Sequence, residues 1–309
     1  MKRCPISYEP LVGGADYSPQ GLRLLDRTLT SLARLEFTAE QQRQEAISRA
    51  GKMSVQGLQL KLSAVLRIKQ GRFEIVDRAG RFILKPPSLD YPELPENEDV
   101  TMHMAAAVGI EVPVHGLLRA NDGSLTYFIK RFDRQGRDRL PQEDFAQLTG
   151  ASRETKYDSS MEKVATAIDR FCTFPAIEKV KLFERTFFSF LAGNEDMHLK
   201  NFSLITREGK VELAPAYDFL NTTIVLKNPK EELALPLNGK KSRLARKDIV
   251  DYFAREHLRI NDRLLAEVLA RFNKALPVWR ELLGQSFLSP EMNQKFLSTI
   301  AERRQRLHL

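Results

Sequence analysis

Cysteine is nearly absent from this chain, and histidine and tryptophan are scarce. Cys4 and Cys172 are the only thiols in 309 residues. They are too few and too far apart to suggest a disulfide framework or a zinc site, and both read as ordinary thiols. The histidines at 103, 115, 198, 257 and 308 make no ligand cluster in the sequence, which argues against a zinc enzyme. No apolar run reaches the length of a bilayer span, and the basic opening Met-Lys-Arg-Cys-Pro-Ile has no apolar signal core behind it. A cytoplasmic protein without a membrane partner is the expectation. Internal repeats and low-complexity tracts are also missing. The net charge of +8 permits a nucleic-acid role or an acidic partner. The basic residues are spread out, however, with short clusters only at 240–246 and 303–306, so a solvated basic surface explains them equally well.

What is present is concentrated in Gly193–Asn201, Gly-Asn-Glu-Asp-Met-His-Leu-Lys-Asn. The mostly apolar stretch 180–192 before it reads as a buried helix that ends at Gly193 and hands over to a polar loop. Asp196 and Asn201 stand five residues apart. That is the spacing of the protein-kinase catalytic loop, where the Asp takes the hydroxyl proton and the Asn holds magnesium. Asp218, in Ala-Pro-Ala-Tyr-Asp-Phe, is a second carboxylate placed as a kinase's metal-binding Asp would be.

Upstream, leucines 22, 25, 29, 32 and 35 repeat at helical spacing, with Ser18 and Thr38 as candidate caps. A small-residue loop, 51–61, runs into strands at 62–68, 73–76 and 81–84 joined by tight turns, an antiparallel meander. Two more strands, 114–118 and 125–129, flank the Asn121-Asp-Gly turn. A helix at 99–108 precedes these two strands. Lys85 ends an apolar strand, as a phosphate-binding kinase Lys does. Glu98 is the preferred partner for it, with Glu96 close behind. Beyond Arg131 the chain turns helical: a helix opening at Leu140-Pro-Gln-Glu-Asp, helices at 161–171 and 176–191, and amphipathic helix over 247–309. A polar loop at 150–160 carries Lys156-Tyr157, and 233–237 reads as a short strand. The expected fold is α+β and two-lobed, protein-kinase-like. A small, mainly antiparallel β N-lobe (1–130) precedes a larger, mainly helical C-lobe (131–309).

Six segments in order resemble the motif set of the HipA-like serine/threonine kinases, the toxins of bacterial toxin–antitoxin systems. They are Ser54-Val-Gln-Gly-Leu-Gln-Leu-Lys61, Phe82-Ile-Leu-Lys-Pro86, Arg131-Phe-Asp-Arg134, Leu140-Pro-Gln-Glu-Asp-Phe145, Gly193–Phe202 and Ala214-Pro-Ala-Tyr-Asp218. The short length is similar to the HipT toxins of three-gene HipBST systems, where a separate small protein, HipS, resembles the missing region. The resemblance implies ATP and Mg2+ as cofactors and phosphorylation of an aminoacyl-tRNA synthetase, of tryptophanyl or glutamyl type. It also implies a helix-turn-helix, HipB-like antitoxin partner, with DNA reached indirectly through it. By motif, Asp196 would be the catalytic base, Asn201 and Asp218 would bind magnesium, and Lys200 would touch the γ-phosphate. Lys85 would hold phosphates, and the loop residues Ser54, Gly57 and Gln59 would cover them. Lys130 and Phe132 would meet adenine through their backbones. Ser54 would be the autophosphorylation site, and Gln56 stands where HipT proteins tend to have a second Ser. His198 would touch phosphate or substrate, or serve as a structural hydrogen bonder. Two other readings stay open: a small-molecule kinase of the same build, and a non-catalytic component of a DNA-bound repressor complex.

Overall fold

The computed structural model describes residues 2–49, 59–136, 138–152 and 154–309. Two compact units emerge. One takes Met1–Val100, Pro113–Arg131 and Leu283–Leu288; the other takes Thr101–Val112, Phe132–Leu282 and Ser289–Leu309.

In the first unit, α1 (Pro19–Leu25) begins where Ser18 accepts a hydrogen bond from the Gly21 N–H. It stops sooner than the leucine spacing predicts. Asp26 turns its carboxylate onto the N–H and hydroxyl of Thr28, at 2.8 and 2.6 Å. Such a local side-chain bond competes with helical continuation. Leu29 and Leu35 still reach the core, but from extended chain. Helix α2 (Ala39–Arg49) starts with a reciprocal cap: the Gln41 N–H donates to Thr38 Oγ1 and the Thr38 N–H to Gln41 Oε1.

Five strands follow: β1 (Leu62–Arg67), β2 (Arg72–Ile75), β3 (Phe82–Lys85), β4 (His115–Arg119) and β5 (Leu125–Lys130). They form one antiparallel sheet ordered β2-β1-β3-β5-β4. Gly71 closes the β1–β2 turn with φ +57°, and a Cβ there would stand 2.7 Å from the Ser31 carbonyl oxygen. Phe82 packs against Phe73 and Phe128 with ring centroids 5.0 and 6.1 Å apart. Helix α3 (Leu94–Ala107) starts five residues earlier than the sequence reading placed it. That brings Glu96 and Glu98 onto the helix itself.

The second unit opens with a two-stranded ribbon, β6 (Arg134–Gln135) and β7 (Asp138–Arg139). The stretch expected to open a helix at Leu140 is instead a strand, β8 (Gln142–Asp144), followed by a five-residue helix, α4 (Phe145–Thr149). Asp144 caps α4 through a box with Gln147, so the helix cannot begin earlier. Helices α5 (Met161–Phe171) and α6 (Pro175–Ala192) lead to the hairpin β9 (Ser203–Arg207) and β10 (Lys210–Leu213). The three-stranded sheet is ordered β10-β9-β8. The stretch 233–237 is not a strand: Leu233, Leu235 and Leu237 are buried, but only Leu237 makes a single bridge, to Lys240. A π-wound helix (Lys247–His257), α7 (Asp262–Gln285) and α8 (Pro290–Leu307) complete the unit. No helix among the described residues is long and apolar enough to cross a membrane.

Fully buried Phe183, Phe187, Phe188 and Phe190 of α6 form much of this unit's core. Trp279 stands edge-on to Phe188 and Phe272, and its Nε1–H donates to the Met104 carbonyl at 2.9 Å. Truncation leaves a large cavity and removes the indole donor from that carbonyl, which keeps only the Val108 N–H at 3.3 Å. Trp279→Ala is therefore expected to cost about 3–5 kcal/mol in denaturant unfolding, whereas an exposed-site control such as Val278→Ala stays within about 0.5 kcal/mol. In the first unit, burial lowers the His115 pKa to about 4, although a bond between Nδ1 and the Pro113 carbonyl opposes the shift. The folded state favours the neutral ring, so this contribution is complete above pH 6.5 and lost as pH falls toward 4. The loss amounts to about 3 kcal/mol. Urea midpoints between pH 7 and 4 should be flatter in His115→Gln than in the wild type.

Candidate active site

Helix α6 delivers the loop 193–201. Pro175 sits in its first turn, and Gly193 ends it in the left-handed conformation, φ +74°. Hydrogen bonds to Thr222 and Thr223 then fix the start of the loop. The Gly193 carbonyl accepts from the Thr223 N–H and from both threonine hydroxyls, Thr222 Oγ1 and Thr223 Oγ1, at 3.0–3.1 Å. Thr222 Oγ1 in turn accepts from the Glu195 N–H at 2.8 Å. Asp196 is held by its backbone. Its N–H donates to Asn194 Oδ1, and its carbonyl accepts from Asn201 Nδ2 at 2.8 Å and from the His198 N–H at 2.9 Å. The five-residue spacing therefore becomes one closed turn. Because the Asn201 amide nitrogen is committed to Asp196, its oxygen is the atom offered elsewhere.

Asp218 follows Tyr217, whose hydroxyl bridges the Ser203 hydroxyl and the Lys200 carbonyl. Asp218 itself has φ +57°, a left-handed backbone rare outside glycine. His198 lies within electrostatic reach of both Asp196 and Asp218. Burial lowers its pKa, assisted by the Lys156 ammonium and opposed by the two carboxylates. The ring is thus neutral, and Nε2 accepts from Lys156 Nζ at 2.7 Å. Tyr157 donates its hydroxyl to Asp196 Oδ1 at 2.5 Å. Burial raises the phenol's pKa, and the charge of Asp196 raises it further.

The two units divide the expected residues. In the second, the loop joins Asp196, His198 and Asn201, with Asp218 within electrostatic reach of His198. Lys200 ion-pairs with Asp144, the α4 cap, at 3.0 Å. The Phe132 ring lies 5.6 Å from that of Tyr217. In the first unit, Lys85 Nζ meets Glu98 Oε1 at 2.6 Å, with both side chains almost fully buried. Lys85 also faces the Tyr127 ring at 5.5 Å. Of the two candidate carboxylates, Glu98 makes this bond, whereas burial raises the pKa of Glu96 to about 7. Lys130 ends β5 exposed, and its N–H donates to the Val114 carbonyl at 2.8 Å, so that donor is already committed. Gln59 is half-buried just before β1. Ser54 and Gly57 lie outside the described residues.

Several contributors were not singled out from the sequence. Thr222 and Thr223 carry no motif signal. Asp144 and Tyr217 stood inside quoted motifs without an assigned role. Lys156-Tyr157 was visible only as a cation and an aromatic in a polar loop.

Residues 53–279 match the family profile of the HipA-like C-terminal domain. The chain belongs to this family. A Haemophilus influenzae protein provisionally named a kinase is 32% identical over 247 residues, covering 72% of this chain and 69% of the relative. Two provisionally named kinases of Sinorhizobium fredii are 33% and 37% identical over 208 and 194 residues. The chain spans about half the length of those two, 48% and 47%. Among solved structures it is similar to Shewanella oneidensis HipA, determined with HipB and operator DNA, with TM-score 0.69 and 20% identity, covering 91% of this chain and 74% of that one. It is also similar to the Helicobacter pylori proinflammatory kinase CtkA, with TM-score 0.53 and 17% identity over 73% and 86% of the two chains. At these identities the structural likeness carries the fold, which is that of HipA and CtkA. This HipA-like chain is thus a member of a kinase family, and ATP is the phosphoryl donor that such a family implies.

The loop's geometry depends on the helix exit. A Cβ on Gly193 would stand 2.7 Å from Asn221 Oδ1 and 2.9 Å from Thr299 Cγ2, on a backbone that disfavours L side chains. Gly193→Ala is expected to destabilise by about 1–3 kcal/mol. A thermal melt unchanged from wild type would show that the loop tolerates another exit.

Proposed function

We propose that the chain is a magnesium-dependent serine/threonine-protein kinase, the toxin of a toxin–antitoxin pair, acting on an aminoacyl-tRNA synthetase. The observation that carries this reading is the closed turn joining Asp196 to Asn201, whose His198 lies within electrostatic reach of Asp218. Asp196 is the base. It takes the proton of an acceptor hydroxyl while the hydroxyl oxygen bonds to the γ-phosphorus and the bond to the β–γ bridging oxygen breaks, releasing ADP. Such a base needs position more than a shifted pKa. Asn201 through its amide oxygen and Asp218 through its carboxylate form an oxygen donor set suited to Mg2+. When bound, the ion neutralises phosphate charge. Lys85, oriented by Glu98, serves the nucleotide phosphates, and Lys200 the γ-phosphate once it leaves Asp144. Backbone groups of Lys130 and Phe132 serve adenine. The loop with Ser54, Gly57 and Gln59 covers the nucleotide, and Ser54 is its self-phosphorylation site. Phosphate there adds about two negative charges above the ATP phosphates and disfavours binding.

The capture of the HipA neighbour with HipB and operator DNA supports a HipB-like antitoxin for this chain, with DNA contact through that partner. A HipS-like third component and a HipT-like role follow from the sequence resemblance. The test is mass spectrometry after incubation with Mg-ATP and purified synthetases, wild type beside Asp196→Asn. Phosphate is expected on Ser54 and on one synthetase, reduced about 10²–10⁴-fold in the variant and abolished by EDTA. Undiminished phosphate in Asp196→Asn would remove the base. Phosphate on Ser54 alone would discard the synthetase target.

A further inference from the structure

A hydroxyl already sits on the carboxylate assigned as the base. Tyr157 Oη donates to Asp196 Oδ1 at 2.5 Å, the contact that an acceptor hydroxyl must make before transfer. Burial and the charge of Asp196 keep the phenol protonated, so it remains a donor. The preceding residue clasps the same loop twice. Lys156 Nζ meets His198 Nε2 at 2.7 Å, and the Lys156 carbonyl accepts from the Leu199 N–H at 3.3 Å. The Tyr157 ring stands edge-on to His198, centroids 5.0 Å apart, with Lys156 and Lys241 ammonium groups 4.9 and 5.9 Å from its centre.

We infer that Tyr157 determines acceptor specificity: its hydroxyl holds the acceptor's place on Asp196, and a substrate hydroxyl enters only by displacing it. The inference rests on Asp196 as the base. The exchange swaps one O–H···O⁻ bond for another, so it is nearly balanced for any hydroxyl. The difference lies in the rest of the contact. Displacing Tyr157 also removes its ring from His198 and the two lysines, together with the Lys156 clasp. A polypeptide acceptor replaces that lost packing with its own side chains, whereas water replaces only the hydrogen bond. Segment 154–160 thus favours protein hydroxyls over hydrolysis of ATP. Lys156 acts on the reaction through His198 and Tyr157, as a positioning residue.

Two readouts test this with Mg-ATP as the only added ligand. The first is release of inorganic phosphate, which reports water as acceptor. Tyr157→Phe keeps the ring and removes the donor, so release is expected to rise about tenfold, the worth of one hydrogen bond to a charged group. Unchanged or slower release in Tyr157→Phe would overturn the inference and leave Tyr157 as a residue that merely orients Asp196. The second readout is amide hydrogen exchange over 154–160, which needs no turnover. Tyr157→Phe and Asp196→Asn should both accelerate it, since the first removes the donor and the second removes the charge that strengthens the bond. Protection unchanged in both variants would refute the contact. Faster exchange in Asp196→Asn with phosphate release kept at the wild-type level would keep the contact but overturn the base assignment, and with it the acceptor role of Tyr157.

Discussion

The left-handed turn at Gly193 is the constraint on which the candidate site depends. Helix α6 is rigid because its phenylalanines are buried, and its last residue must redirect the chain within one step. Glycine makes that step without the steric penalty of a Cβ. The freed carbonyl then accepts from the N–H of Thr223 and from two threonine hydroxyls. Three donors on one carbonyl fix the start of the loop, and the Asn201–Asp196 bond fixes its end. A carboxylate held at both backbone ends needs no flexible search to meet a proton. That is the kind of preorganisation phosphoryl transfer demands.

Buried charge follows the same logic in each unit. The Lys85–Glu98 pair has almost no solvent access, so each ion depends on the other for its stability. Next to Glu98 on α3, Asp99 accepts from the Tyr8 hydroxyl at 2.8 Å, and burial raises the pKa of Asp99 well above the ordinary carboxylate range. The N-terminal segment therefore helps to hold the helix that holds Glu98. In the second unit, the Arg185 guanidinium is buried, which lowers its pKa to about 10, and it donates to the Ala214 carbonyl at 2.6 Å. Leu213, beside it, gives its N–H to Glu178 Oε2 at 2.8 Å. Both acceptances tie α6 to the stretch that leads into Asp218. The helix thus positions the two acidic parts of the site, one through its C-terminus and one through its side chains.

Much of the fold was legible because its signals are local. The five strands of the first unit fall within a residue or two of their expected bounds, since apolar runs between Gly turns leave little choice of register. Helices α5 and α6 were legible from period and caps. The misreadings have different causes. The leucines from 22 to 35 have helical spacing, but Asp26 bonds Thr28 and ends the helix. The Pro-Gln-Glu-Asp stretch has the composition of a helix start, yet its first residues find a strand partner in β9, sixty residues downstream. Leucines 233, 235 and 237 alternate like a strand, but burial alone satisfies them. Only the second case turned on a bond outside the window of the pattern; a local side-chain bond decided the first and burial the third.

The sequence by itself determined which residues are the candidates for the chemistry: an acid, an amide and a second acid at kinase spacing, a strand lysine, and acids near the start of a helix. Residue type and short spacing suffice for that, because one turn or one strand end brings such groups together. Only the tertiary structure decided which glutamate meets Lys85, that Lys200 rests on Asp144, and that Tyr157 lies on Asp196. The physical reason is separation along the chain. Tyr157 and Asp196 are 39 residues apart, and no local periodicity relates them. Their contact follows from how α4, α5 and α6 pack, which depends on the whole core rather than on either residue.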